Sequence, residues 1–141
     1  MKLDLGDQLG TTGRTVAESL LAVHRSYFRS LVPVLDRIHG LAHITGGGIA
    51  GNLVRILPAD CAATVDPDSW ELPPLFTTLQ QAGRVSTREM RDVFNLGVGF
   101  IAVLPPDAVS AAQSAAAADG VPTWVMGEIH RGSRAARFAR P

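Results

Sequence analysis

The sequence predicts a mixed α and β fold, a sheet with helices packed against it. Three observations carry that prediction. Short apolar runs of strand length alternate with segments whose apolar residues recur at helical spacing. Turn residues punctuate the boundaries, above all Gly46-Gly47-Gly48, Asp66-Pro67-Asp68-Ser69 and Pro105-Pro106. Hydrophobic residues make up 46% and charged residues 18% of a 141-residue chain, enough for one domain with a real core and too apolar for disorder.

Residues 1–13, with Gly6, Gly10 and Gly13, read as a lead-in. From Thr15 to Ile38, Val16, Leu20, Val23, Tyr27, Leu31, Val34 or Leu35, and Ile38 keep one apolar face. Taken alone they predict a long helix, which Pro33 kinks or restarts and in which a break near Val23–Tyr27 is open. Leu41–Thr45 is a strand, followed by the glycine turn and a helix over Ile49–Leu57 that Pro58 stops. Cys61–Val65 is a short strand, and its unbroken apolar character predicts burial on both faces. Pro73-Pro74 open a helix reaching Ala82, with Gly83 as its C-cap. Ser86 and Glu89 form a capping-box pattern for the next helix, which ends near Phe94-Asn95. Gly97–Leu104 is a strand, Asp107–Asp119 an alanine-rich helix closed by Gly120, and Thr123–Ile129 the last strand. Residues 131–141, with Arg131, Arg134, Arg137 and Arg140, read as a solvated basic tail.

Thirteen basic residues balance thirteen acidic ones, which argues against nucleic acid as partner. The N-terminus has no signal-peptide pattern, and no apolar run approaches the roughly 18 residues of a membrane span, so a cytoplasmic protein is expected, with no membrane partner. Cys61 is the only cysteine and reads as a small hydrophobe. Lys2 is the only lysine against twelve arginines, and no Walker-type phosphate loop occurs. The histidines lack metal-ligand spacing, so no metal site is assigned.

The glycine turn is the leading candidate site. Glycines admit close backbone approach, and the start of a helix offers unpaired N–H groups at its positive end, so the turn reads as a seat for an anion, the alternative being a tight connection that binds nothing. Thr45 adds a hydroxyl, and Asn52 lies about one helical turn further on, where it could point back at the same anion. Strand alternation places His43 and Thr45 on one face, so His43 is either an acid–base group beside the turn or a structural histidine. Asn95, Gly97 and Gly99 form a second glycine-rich turn, either a bulge or a place where something approaches the backbone closely.

Four motifs, Leu-Ala-His-Ile-Thr-Gly-Gly-Gly at 41–48, Ser-Trp-Glu-Leu-Pro-Pro-Leu-Phe at 69–76, Phe-Asn-Leu-Gly-Val-Gly-Phe at 94–100 and Trp-Val-Met-Gly-Glu-Ile at 124–129, stand in the order seen in one family. The chain resembles the C-terminal half of phosphoribosylformylglycinamidine cyclo-ligase, also called AIR synthetase or PurM, from about Leu9 to Ile129. The resemblance implies an α+β domain over residues 14–130, three-layer α/β/α with a mixed sheet. It implies a reaction in which ATP activates the formyl-amide oxygen of formylglycinamidine ribonucleotide and the ring closes to aminoimidazole ribonucleotide, in purine biosynthesis. His43 would serve proton transfer. Thr45, Gly46, Gly47, Gly48 and Asn52 would line the substrate or phosphate cleft, with Arg25, Asn95 and Gly97 near it. ATP and Mg would be bound mainly by an N-terminal domain or subunit that is not in this sequence, so the implied partners are that domain, the phosphorylated ribonucleotide and a second copy of the chain. The chain would be inactive alone. The other reading is a non-catalytic module of the same superfamily that binds a ligand or pairs with a subunit. In the family the stretch matching Leu20–Tyr27 carries a proline where this chain has Val23.

Overall fold

The computed structural model describes residues 3–139. Its architecture is α+β, with the strands divided between two small sheets. Strand β1 (Gly40–His43) pairs antiparallel with β3 (Phe100–Val103). Strand β2 (Cys61–Val65) is the centre of a mixed sheet, antiparallel to β4 (Gly127–Arg131) and parallel to β5 (Ala135–Phe138). A single core joins the two sheets. Ala42 and Ile44 from the first, Ala63 and Val65 from the second, and Ile49, Leu53, Leu57, Val98 and Ile101 around them form one buried cluster. The burial of Ala62, Ala63 and Val65 covers both faces of β2, as its apolar run predicts.

The long helix expected over 15–38 is broken. Helix α1 (Val16–Leu20) stops after five residues, residues 22–27 run on without regular structure, and α2 (Phe28–Leu31) leads into a 3₁₀ stretch, Val32–Arg37, that carries Pro33 in its first turn. A complete capping box starts α1: the Thr15 hydroxyl accepts from the Glu18 N–H at 3.2 Å and the Glu18 carboxylate accepts from the Thr15 N–H at 2.8 Å. At Ser86 only the hydroxyl half forms, accepting from the Glu89 N–H at 3.1 Å.

Helix α3 (Gly48–Leu53) tightens into a 3₁₀ turn at Val54–Ile56. Helix α4 (Pro74–Gly83) ends differently from the expectation at Gly83. Gly83 is still helical, and Arg84 takes the left-handed conformation, φ 50°, with its N–H bonded to the carbonyls of Gln80 and Gln81. Gly83 is small for another reason: a Cβ there would lie 2.9 Å from a Val85 methyl as the chain folds back. Helix α5 (Thr87–Val93) packs on α3, and α6 (Val109–Ala118) packs on α2. The α6 terminus is a Schellman motif, with Val121 N–H on the Ala116 carbonyl, Gly120 N–H on the Ala117 carbonyl, and Gly120 at φ 66°. Ser30 donates to the Asp119 carboxylate at 2.8 Å, and Arg37 pairs with Asp107 at 2.8 Å, tying α2 and its 3₁₀ extension to α6.

Two boundary expectations need correcting. The lead-in is folded back on itself, with Leu9 N–H on the Arg14 carbonyl and Leu9 only 6% exposed. The basic tail contains β5. Ala136 and Phe138 pack against the core while Arg137 points out, and Gly132 and Arg134 donate backbone N–H groups to Asp60 and Ala59. Arg140 lies outside the described residues. No helix among the described residues is long and apolar enough to cross a membrane.

Candidate functional site

Because β1 and β3 are antiparallel, the end of β1 and the start of β3 lie at one edge of the ladder, where His43 faces Phe100 across the strands. Ile44 N–H on the Gly99 carbonyl, at 3.0 Å, carries the pairing one step further. Both glycine-rich turns therefore leave the same end of the ladder. Alternation holds: Ala42 and Ile44 are buried, while His43 and Thr45 are exposed on the opposite face.

Gly47 has φ 95° and caps α3, and Gly48 has φ 65° and is buried. A Cβ on Gly48 would overlap the backbone carbonyl oxygen of Arg91 in α5. Gly46 differs from both, for its φ is not positive and a Cβ there would meet nothing within 4 Å. Asn52, 5% exposed, turns its amide nitrogen onto the turn itself, donating to the carbonyls of Gly48 at 2.7 Å and of Thr45 and Gly46 at 3.3 Å each. The expectation that Asn52 points at an anion is corrected to that extent: three convergent carbonyl oxygens are a better partner for an NH₂ group than open solvent. The six-residue length of α3 also limits the dipole it brings to the turn.

The second turn is built the same way. Asn95 accepts from the Gly97 N–H at 3.2 Å with its side chain and from the Val98 N–H at 2.9 Å with its carbonyl, while Leu96 and Gly97 take φ 53° and 91°. Positive φ at both central residues is the pattern of a type I′ turn, and a leucine there is strained. Trp70 holds it, donating its indole N–H to the Leu96 carbonyl at 3.0 Å. What approaches Gly97 and Gly99 closely belongs to the chain itself. A Cβ on Gly97 would lie 2.5 Å from a Pro73 ring carbon, and one on Gly99 would overlap the Tyr27 hydroxyl.

Residues 22–27 form a strap whose His24 and Tyr27 lie against the His43–Phe100 end of the β1–β3 ladder. His24 meets His43 with the two Nε2 atoms 3.0 Å apart, the Arg25 guanidinium donates to the Gly120 carbonyl at 3.0 Å, and Tyr27 packs on Phe100 with ring centres 5.4 Å apart. Together His24, Arg25, Tyr27, His43 and Phe100 line an open depression of about 320 Å³. It offers two imidazoles, a guanidinium and a phenol and, among the described residues, no carboxylate. Those groups suit an anionic ligand. They do not suit Mg²⁺, which is held through carboxylate and phosphate oxygens. Among the described residues no group of three or more His, Cys, Asp or Glu gathers at a metal-sized site.

Of the residues singled out in the sequence, His43 and Arg25 line the depression. Thr45 and Gly46–Gly48 continue from β1 at its edge, and Asn52, Asn95 and Gly97 hold the two turns in shape. His24, Tyr27 and Phe100 were not singled out. Phe100 stands at the end of the 94–100 motif and Tyr27 two residues beyond Arg25; His24 directly precedes Arg25, at a position where the family carries Thr or His, but its pairing with His43, 19 residues on, leaves no local mark.

A family model described as AIR synthase related protein, C-terminal domain, matches residues 2–139. A phosphoribosylformylglycinamidine cyclo-ligase of Sorangium cellulosum is 43% identical over 133 residues, covering 92% of this chain and 38% of that protein. One of Pseudothermotoga lettingae is 37% identical over 134 residues, covering 94% of this chain and 40% of that protein. The chain thus spans about two-fifths of the length of these curated relatives.

Proposed function

The chain belongs to the family of AIR synthase related proteins, as their C-terminal domain, and from that premise we propose that it supplies one wall of a cyclo-ligase cleft. The observation that carries this reading is the convergence of both glycine turns, His43 and Arg25 at one end of the β1–β3 ladder. In it, the phosphorylated ribonucleotide lies over the depression and against Thr45 and Gly46, and the Arg25 guanidinium meets its negative charge. Gly46 supports this placement, since neither its backbone conformation nor a neighbour in the chain requires glycine there. His43 moves a proton during ring closure.

ATP and Mg²⁺ are held by an N-terminal domain or subunit, because the depression has no carboxylate to hold the metal. ATP supplies the activation of the formyl-amide oxygen when bound, and the residues of this chain bind and orient the ribonucleotide. Phe28, Val32 and Leu35, at spacings of four and three residues, leave an apolar face 47–71% exposed, which gives such a partner, or a second copy, a surface to cover.

The test is reconstitution. The chain is mixed with the N-terminal segment of one of the cyclo-ligase relatives, ATP, Mg²⁺ and formylglycinamidine ribonucleotide, and aminoimidazole ribonucleotide is measured. Product is expected from the mixture and not from either part alone. Turnover by the chain alone overturns its incompleteness, and ribonucleotide binding without turnover in a formed complex favours a non-catalytic module.

A further inference from the structure

The geometry points to His24 as the residue that positions His43, fixing which of its ring nitrogens carries the proton. The inference rests on the reading that the depression is a working site, and it follows from two hydrogen bonds. Nδ1 of His24 lies 3.1 Å from the Arg25 carbonyl oxygen. A carbonyl only accepts, so Nδ1 of His24 is the N–H donor, and the neutral ring then has its lone pair on Nε2. That lone pair faces Nε2 of His43 at 3.0 Å, so His43 must donate there. The neutral His43 is therefore the Nε2–H tautomer, and its base is Nδ1, which has no hydrogen-bond partner among the described residues.

A chemical consequence follows. A proton taken up by Nδ1 of His43 allows the Nε2 proton to pass across the 3.0 Å contact to Nε2 of His24. His43 ends neutral with its proton on Nδ1, and the positive charge rests on His24, whose Nδ1–H stays on the Arg25 carbonyl. Two N–H bonds form, at Nδ1 of His43 and Nε2 of His24, and one breaks, at Nε2 of His43; the difference is the one proton given up by the reacting group. The groups facing the pair are the Arg25 guanidinium and the Tyr27 phenol from the strap and the uncharged Phe100 ring from β3. With no carboxylate lining the depression, nothing in it pins the charge, so the relay is free to return the proton. His24 acts through His43 and touches no substrate in this scheme.

The experiment is ¹⁵N-labelled histidine NMR on the whole chain above the imidazole titration range, reading the two-bond ring couplings that separate a protonated nitrogen from one with a lone pair. His130 is an internal reference: its Nδ1 faces the Arg131 carbonyl at 3.2 Å and its Nε2 faces the Thr64 hydroxyl at 3.0 Å, so it too is held as the Nδ1–H form. Expected are His24 as Nδ1–H and His43 as Nε2–H. His24→Phe removes the acceptor and turns the single-tautomer signature of His43 into that of a mixture. His24→Gln, whose side-chain oxygen accepts from the same direction, restores it. An unchanged His130 pattern reports an intact fold in each variant. Wild-type His43 in the Nδ1–H form, or a His43 signature unmoved in His24→Phe, overturns the proposal. The spectrum needs neither ATP nor a partner domain, so this inference and the reconstitution can each fail alone.

Discussion

At the scale of single residues, the three consecutive glycines answer to different constraints. Gly48 combines a left-handed backbone with a would-be Cβ overlapping the carbonyl of Arg91. Gly48→Ala is expected to cost about 2–4 kcal/mol in urea denaturation, from backbone strain and from the shift it forces between α3 and α5. Gly46→Ala meets open space without a positive φ and should lie within about 0.5 kcal/mol of the parent. On the proposed reading its effect falls on ligand affinity, measured by titration with formylglycinamidine ribonucleotide. A large stability loss at Gly46 would contradict this assignment. In the sequence the three are one word. Only their φ values and neighbours separate a fold requirement from room left for a ligand. The same holds for Asn52 and Asn95, whose amides look like ligand groups in the sequence and serve their own turns in the fold.

Among the elements, α1 depends on its cap, for it has five residues and buries none of them. Thr15→Ala should destabilise the chain by about 1 kcal/mol in urea denaturation at neutral pH. The backbone N–H and then the hydroxyl of Thr15, both donating to Glu18, hold its carboxyl below the ordinary value of 4.5. A depressed carboxylate contributes stability above its unfolded value and loses it as the pH falls through the folded one. The gap between parent and Thr15→Ala should therefore narrow on acidification through the carboxylate range. A constant gap would show that the bond from the Thr15 hydroxyl to the Glu18 carboxylate contributes nothing, since the backbone N–H bond survives in the variant. Local rules made most elements legible: β2 from its apolar run, α5 from Ser86, α6 from Pro106 and Gly120. They failed between Leu21 and Tyr27, where helical periodicity continues through residues that are not helical. The break there is set from a distance, by Tyr27 seated at Gly99 and His24 at His43, and Val23 leaves no proline to mark it.

Across the whole molecule, β5 belongs to the folded body. β5 lies parallel to β2, and Phe138 packs on the core beneath the Arg91 guanidinium, 4.7 Å from the ring centre. Phe138→Ala should cost about 1–3 kcal/mol by chemical denaturation, less than a fully buried phenylalanine because the ring is half-buried. Arg134→Ala, which keeps the backbone bond to Ala59, should change stability by no more than about 0.5 kcal/mol. Equal effects would mean that the segment behaves as a tail after all. The period-two signal was present in Ala136-Arg137-Phe138, but arginine density masked it, and a parallel partner some seventy residues earlier in the chain leaves no local mark. The architecture also gives the strap a magnetic-resonance signature. Tyr27 is the only tyrosine in the chain, and it stands inside the depression between Phe100 and Gly99. A fluorinated tyrosine would therefore produce one resonance, arising wholly from the site, so the molecule carries its own single-channel reporter of whether that wall is open or occupied.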